Sequence, residues 1–342
     1  MRKIITLFTL CLALSAQPVA AQGFWDNIKE KATEWKDKAT RKVSEKVSEK
    51  TANSEILDRY RYKVPITGRK FLNIIPDDYM LQMSSQQYRS FVRSGNLSSN
   101  SRETARVKKV SQRISAAVST LYRQQGMSSE LKGFKWEFNL IKGSDINAFC
   151  MPGGKICVYD AMMPVADTDD MLAVVIGHEV AHAMAKHSAE HLTDAVITTV
   201  GLYAVIAMIQ SSDMSKTKKI IASAIASAGA TLTQLKFSRI DEAEADRLGL
   251  ILAAMAGYDP EAAIPFWKRM GEKTGDKSVH DFYSTHPSNT NRISNIQSYL
   301  PEAKSYYKKH SSSSSTSSRK SSSSHRSSHS SHRSSRHSSH RR

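Results

Sequence analysis

The chain has 342 residues, of which 40% are apolar, and a formal net charge of +17 from 49 basic and 32 acidic side chains. This length suffices for a single hydrophobic core, and the apolar fraction is ordinary for a globular protein, so we expect one folded domain with extensions. Much of the positive excess lies after residue 310, in a segment made almost entirely of Ser, His and Arg. Neither interleaved aromatic residues nor a recognition motif accompanies this charge, so no specific nucleic-acid partner is expected.

Residues 1–21 have the pattern of a cleaved signal peptide. Arg2 and Lys3 precede an apolar stretch, and small residues before position 22 offer a cleavage site after Ala21. The apolar run is shorter than the roughly 20 residues that a membrane span requires. We therefore expect an exported protein, either periplasmic or associated with the cell envelope.

A charged amphipathic helix is predicted within residues 22–60. Apolar side chains recur every three or four positions from Ile28 to Val47, and lysines occupy the other face. This composition would allow peripheral contact with an anionic membrane surface. Docking of the helix on the folded domain or on a partner is the alternative.

The folded domain is expected over residues 61–305 and begins with a short extended piece. A long helix follows over Ser101–Arg123, where apolar residues repeat on one side. The alternating pattern of Trp136–Ile141 predicts a strand, and Ala148–Tyr159 predicts a hairpin. Together these segments predict a small sheet.

Two cysteines remain in the mature chain, at the arms of this hairpin. If Gly153 and Gly154 form a two-residue turn, Cys150 lies directly opposite Cys157. Export would make a disulfide possible. Two independent buried thiols are the first alternative, because a hydrogen-bonded strand pair satisfies disulfide geometry poorly. Metal ligation by the pair is the second alternative.

The sequence HExxH occurs at residues 178–182, within an apolar stretch for which Thr168 is a suitable N-cap. Residues four apart share one face of a helix, so His178 and His182 can bind one metal ion. Glu179 then lies beside a water molecule on that metal. Neutral imidazole suits zinc, and a catalytic zinc keeps one position open for water. The motif predicts a metallopeptidase with one zinc ion per chain.

A second helix with acidic residues is predicted over Ser238–Asp246. Glu242 and Asp246 lie four residues apart on one face, so Glu242 can complete a His, His, Glu shell. Asp246 can accept the outer N–H of a zinc histidine. Glu244 is expected to point elsewhere.

Two apolar runs, Ala195–Ile209 and Ile220–Leu232, lie between these helices. Both are too short to span a bilayer, so we expect buried helices or a helical flap over the cleft. Shallow contact with a membrane surface is the alternative.

The chain resembles the zinc metallopeptidases of family 48, which are related to CAAX prenyl proteases and HtpX-like proteases. Besides the two zinc motifs, the blocks that carry this resemblance are Thr67–Lys70, Asn147–Phe149, Pro152–Lys155, His187 with Ala189 and Glu190, Ala256–Pro260 and His286–Ser288. Their order looks most like the soluble or peripheral branch, which includes periplasmic assembly proteases and the mitochondrial protease Oma.

The resemblance implies an α+β, mainly helical gluzincin (zincin) fold, with a small mixed sheet beside the HExxH helix. It implies that Glu242 is the third zinc ligand and that Asn147, Ala148 and Phe149 form an exposed strand edge that binds substrate. A wholly internal strand is the alternative for this edge.

Two further residues are candidates for the catalytic machinery. His286 and Arg292 could each stabilise the oxyanion that forms during peptide hydrolysis. By the resemblance, a histidine at position 286 can also approach the metal and gate it. A loop residue that caps local structure is the alternative for His286.

The sequence therefore predicts an exported zinc endopeptidase whose substrates are misfolded or unassembled envelope proteins. The alternative is a zinc-dependent chaperone or assembly factor with little turnover. Residues 306–342 lack the apolar side chains of a core and are expected to form a disordered tail. This tail could bind metal weakly or adhere to anionic envelope polymers, and a merely solvating tail is the alternative.

Overall fold

The computed structural model describes the larger part of the chain. The described residues are 55–93, 96–210, 213–227, 231–233, 235–273, 280–287 and 291–321. The predicted signal peptide and most of the predicted amphipathic helix lie outside these residues.

The fold is mainly helical, with two small sheets. The helices are α1 (Glu55–Asp58), α2 (Asp77–Arg93), α3 (Ser101–Gln124), α4 (Asp169–Met184), α5 (His187–Val200), α6 (Leu202–Gln210), α7 (Met214–Ser227), α8 (Arg239–Met255), α9 (Ala263–Glu272), α10 (His280–Thr285) and α11 (Arg292–Ser321). The strands are β1 (Arg61–Lys63), β2 (Lys70–Leu72), β3 (Glu137–Ile141), β4 (Ala148–Met151) and β5 (Lys155–Tyr159). The predicted α+β fold is confirmed.

The larger sheet is mixed and has the strand order β3-β5-β4. The β3 strand pairs with β5 in parallel, and β4 pairs with β5 as an antiparallel hairpin. The residues of β5 from Lys155 to Val158 are buried, as expected for a central strand. Among the described strands of this sheet, β3 and β4 are the two outer ones, and β4 lies against α4.

The hairpin register excludes the disulfide between Cys150 and Cys157. Met151 pairs with Lys155, so the loop contains three residues, and Cys150 lies opposite Ile156. Both cysteines are free thiols. Because neighbouring strand positions face opposite sides of a sheet, a shift of one residue separates the two side chains.

The α4 helix forms the centre of the domain. Thr168 caps it by accepting a hydrogen bond from the amide of Met171 (3.2 Å), and Asp169 and Asp170 favour the positive end of the helix dipole. Nearly every residue from Met171 to Met184 is buried, because α3, the sheet and α8 enclose the helix. A polar motif on this helix is thereby removed from bulk water.

The α8 helix crosses α4 at a contact between two glycines. A Cβ atom on Gly177 would lie 2.7 Å from the carbonyl oxygen of Gly249, and one on Gly249 would lie 2.7 Å from the amide nitrogen of His178. These separations are too short for any side chain, so the two backbones touch directly. The contact brings the acidic residues of α8 beside the histidines of α4.

The helices α5, α6 and α7 correspond to the apolar runs between the zinc motifs. They pack with Ile74, Ile75 and Met80 in a hydrophobic cluster of their own. In the part of the chain that the structure describes, no helix combines the length and apolar character needed to cross a bilayer.

The C-terminal boundary differs from the prediction of a disordered tail from residue 306. Helix α11 continues through Ser321. Extending an existing helix requires no new nucleus, so polar residues can continue it. Residues 322–342 lie outside the described part of the chain.

We predict that Gly177→Ala lowers the free energy of unfolding by about 1–3 kcal/mol, the usual effect of an overpacked interior. It should also lower zinc content, because separating the helices moves His178 away from α8. Urea denaturation and metal analysis would measure both effects. Gly271→Ala in α9 is the matched control, since no described heavy atom lies within 4 Å of its Cβ position. Equal stability and zinc content in the two variants would contradict the role of the glycine contact.

Candidate active site

The two histidines of the HExxH motif lie one turn apart on α4, and both are almost fully buried. Their Nε2 atoms are 3.2 Å apart. Both nitrogens therefore point toward one position between the α4 and α8 helices.

Glu242 of α8 faces the same position. Its carboxylate oxygens lie 3.4 Å from His178 Nε2 and 3.3 Å from His182 Nε2. A tetrahedral zinc ion with bonds of about 2.0–2.1 Å holds its ligand atoms about 3.3 Å apart. Glu242 Oε2 also has no hydrogen-bond partner among the described residues. The three side chains therefore fit a zinc ion in donor type and in spacing.

The local electrostatics favour the ligand forms of His182 and Glu242. Burial lowers the pKa of His182 well below its ordinary value, which keeps this imidazole neutral. Burial alone would raise the pKa of Glu242, but His286 and the two motif histidines outweigh it and hold this pKa well below its ordinary value. A neutral imidazole and an ionised carboxylate are the forms that bind zinc.

Glu179 lies next to this cluster in the cleft. Burial raises its pKa, while the neighbouring His286 and His178 partly offset the effect. Its Oε1 atom has no hydrogen-bond partner among the described residues, and its Oε2 atom is 3.8 Å from His286 Nε2. A carboxylate in such a dry position can accept and return a proton near neutral pH.

His286 follows α10 and joins the same cluster. Its Nδ1 atom lies 2.9 Å from Glu242 Oε1. One ligand atom from each of His178, His182, Glu242 and His286 can be chosen so that all four lie within 4.8 Å of one another. His286 is thus close enough to approach a metal held by the other three side chains.

Asp246 and Arg292 support His178 from the side. His178 Nδ1 is 3.0 Å from Asp246 Oδ1, the contact expected of a group that orients a zinc histidine. Arg292 donates to the same Asp246 oxygen (2.7 Å), and its guanidinium lies 3.3 Å from the ring centre of Trp267. Arg292 also approaches Glu242 Oε2 at 3.3 Å. Arg292 is not among the described residues that line the cleft.

On the other side of the cluster, His182 meets a histidine. Its Nδ1 atom is 2.8 Å from His187 Nδ1, and His187 Nε2 is 3.0 Å from Glu244 Oε2. Glu244 points away from the zinc position, as expected, yet it is connected to a metal ligand. Sequence spacing alone predicts no role for His187, although this residue follows His182 by five positions.

The cleft runs along the edge of β4. It is lined by Asn147–Met151, Glu179, His182, Ser188, Leu232, Thr233, Leu235, Phe237, Thr285 and His286. The predicted substrate edge, Asn147 to Phe149, therefore forms one wall of the cleft that contains Glu179.

The hydrogen-bond pattern shows which groups of β4 face this cleft. Tyr159 donates its backbone N–H to Asn147 O (3.0 Å), so residue 147 bonds to β5. Hydrogen-bonded positions alternate along an antiparallel pair, so Ala148 and Cys150 direct their backbone groups to the free edge. The amide of Ala148 donates to its neighbour Asn147 Oδ1 (2.8 Å).

An HExxH helix joined to a carboxylate from a second helix, with a glutamate in an adjacent cleft, defines a zinc metallopeptidase. Residues 108–300 match Peptidase family M48, and the chain belongs to this family. Its site has the residue types of a zinc metallopeptidase of this family.

Several relatives carry the same activity in their names. The chain is 36% identical over 247 residues to the mitochondrial metalloendopeptidase OMA1 of Schizosaccharomyces pombe, covering 70% of this chain and 67% of that protein. It is 27% identical to the mitochondrial metalloendopeptidase OMA1 of Homo sapiens over 70% of this chain and 46% of that protein. The beta-barrel assembly-enhancing protease of Escherichia coli (strain K12) is 27% identical, over 47% of this chain and 34% of that protein. The chain thus spans between about a third and two thirds of these relatives.

The comparisons correct the predicted localisation. The relatives that match 70% of the chain are named as mitochondrial enzymes, whereas the beta-barrel assembly-enhancing proteases match half of it or less. The prediction of an exported, periplasmic or envelope-associated protein is therefore wrong. It was based on the composition of residues 1–21, which lie outside the described part of the chain.

Proposed function

We propose that this protein cleaves extended segments of misfolded or unassembled proteins, with His178, His182 and Glu242 as zinc ligands and Glu179 as general base. The observation that carries the proposal is that the Nε2 atoms of the two histidines lie 3.2 Å apart and each lies 3.3–3.4 Å from an oxygen of Glu242, beside the buried carboxylate of Glu179. Bound zinc supplies a Lewis acid that polarises the scissile carbonyl and lowers the pKa of a water molecule.

Glu179 performs the proton transfers in this mechanism. Its carboxylate accepts a proton from the attacking water and returns it to the amine that leaves. The raised pKa of Glu179 favours the first step, because a stronger base accepts a proton more readily. Its unpaired Oε1 atom is available for this contact.

His286 and Arg292 receive different roles. His286 lines the cleft beside Glu179, where its ring can donate a hydrogen bond to the developing oxyanion. In its present position it also contacts Glu242, so it would gate access to the metal as the cleft opens and closes. Arg292 holds Asp246 and Glu242 in place instead of contacting the substrate.

The free edge of β4 binds the substrate backbone. An extended peptide can pair with the groups that Ala148 and Cys150 direct into the cleft, and main-chain bonds of this kind do not depend on substrate sequence. The bond from Ala148 N–H to Asn147 keeps the edge protected until a substrate replaces it. A folded substrate exposes few extended segments, so this mode of binding favours unfolded or unassembled chains.

Peripheral contact with an anionic membrane surface is a further part of the proposal. Its support is the lysine-rich, amphipathic pattern within residues 22–60. Most of these residues lie outside the described part of the chain.

We predict that Glu179→Gln lowers the cleavage rate roughly 10²–10⁴-fold, the usual contribution of a positioned base, with zinc remaining near one per chain. His182→Ala should instead lose the metal. Cleavage of a denatured, labelled protein and metal analysis would separate the two effects. The Gln variant should also retain the denatured form of a test protein and release the native form. Cleavage by the Gln variant at the wild-type rate would overturn the assigned base.

The β4 edge is tested by Cys150→Pro, which removes a backbone N–H that faces the cleft and leaves the bonds to β5 intact. The KM for an unstructured substrate should rise roughly two- to tenfold, since a lost hydrogen bond is worth about 0.5–1.5 kcal/mol. Cys150→Ala is the control because it removes the thiol and keeps the N–H. If both variants keep zinc and show the same KM, the edge does not bind substrate.

A further inference from the structure

The two zinc histidines differ in how their outer nitrogens are held. His178 Nδ1 meets a carboxylate directly, at Asp246. His182 Nδ1 meets the ring of His187, and that ring in turn meets Glu244. All five of these side chains are buried, so water does not substitute for a missing partner.

The donors and acceptors in this chain can be assigned in only one way once His182 binds zinc through Nε2. Its proton must then reside on Nδ1, which donates to His187 Nδ1. His187 accepts there and carries its own proton on Nε2, which donates to Glu244 Oε2. A neutral His187 thus accepts a hydrogen bond from His182 and donates one to Glu244. Through His187, Glu244 determines which nitrogen of His182 carries the proton.

Glu244 is itself fixed by the turn between β1 and β2. Arg69 donates to Glu244 Oε2 (2.7 Å), and the hydroxyl of Thr67 donates to the other oxygen. Arg69 also forms two hydrogen bonds with Glu190 of α5, at 2.7 and 2.8 Å. Glu244 is 5% exposed as a side chain, so these contacts provide most of its charge compensation.

This turn lies outside residues 108–300, which match the peptidase family. Its strands pack on both metal helices, because Tyr62, Val64 and Phe71 contact Ala181 and Leu248 in one cluster. Tyr62 also donates a hydrogen bond to Met184 O (2.8 Å) at the end of α4. The turn therefore packs directly against the helices of the metal site.

We propose that His187 is a positioning residue for His182, and that the β1–β2 turn is part of the metal centre through Arg69, Thr67 and Glu244. This inference rests on the zinc ligands assigned above. The chain Arg69–Glu244–His187 fixes the tautomer and ring orientation that direct His182 Nε2 at the metal. Supporting groups of this kind change metal affinity about 10–100-fold when they are removed.

The experiment compares zinc affinity in Arg69→Ala and His187→Phe with that in the wild type, by competition with a chelator. Both variants should bind zinc about 10–100-fold more weakly. Arg247→Ala is the matched control, because Arg247 lies on α8 and pairs with Glu302 through two hydrogen bonds (2.7 and 2.9 Å) away from His182. Its zinc affinity should stay within threefold of the wild type.

A second readout separates positioning from general destabilisation. In the zinc-loaded wild type, NMR should detect a slowly exchanging Nδ1–H proton on His182, and this signal should be lost in His187→Phe and weakened in Arg69→Ala. In Arg247→Ala the signal should persist, even if the protein is less stable to heat. If His187→Phe does not fold, Arg69→Ala carries the test.

Two results distinguish a failure of the assigned zinc ligands from a failure of the positioning role alone. If His182→Ala retains zinc with wild-type affinity, the assigned ligand set fails. If His182→Ala loses zinc while Arg69→Ala and His187→Phe bind it within threefold of the wild type, only the positioning role fails.

Discussion

The direct contact between the backbones of α4 and α8 is the constraint on which the site depends. Gly177 precedes the first motif histidine, and Gly249 lies two turns beyond Glu242, so their contact sets the separation of the ligands. Any side chain at either glycine would widen this separation. The spacing of 3.2–3.4 Å between ligand atoms then follows from helix geometry, because residues four apart share a face. The sheet and the surrounding helices hold this pair of helices in place.

The acidic face of α8 would be unstable if its charges were not paired. Removing one partner of a buried ion pair costs about 3–5 kcal/mol, because the other charge is left without compensation. Each buried acid on α8 accordingly has a basic partner, with Arg292 contacting both Asp246 and Glu242, and only Glu242 faces the metal position. Burial would raise the pKa of Asp241, yet hydrogen bonds from His191 and from the backbone N–H of Ser238 help to hold it well below its ordinary value. The same pairing that makes the helix stable also orients the two zinc histidines.

The sequence predicted the parts of this arrangement that depend on local periodicity. The two motif helices, the sheet and the cleft-side residues follow from spacing and from the resemblance to family 48. The hairpin register was wrong because a Gly-Gly pair suits a three-residue loop as well as a two-residue turn, and only packing distinguishes them. The link from Arg69 to Glu244 was missed because these residues are 175 positions apart, and no local pattern indicates such a contact. The localisation failed because it depended on composition at one end of the chain.

X-ray absorption at the zinc edge tests the central claim most directly, because it measures the ligand atoms themselves. The purified protein should contain one zinc ion whose nearest neighbours are nitrogen and oxygen at about 2.0–2.1 Å. The outer-shell scattering should correspond to two imidazole rings, and a third ring would indicate that His286 occupies the open position. A sulfur neighbour at about 2.3 Å, or fewer than two imidazoles, would contradict a site built from His178, His182 and Glu242.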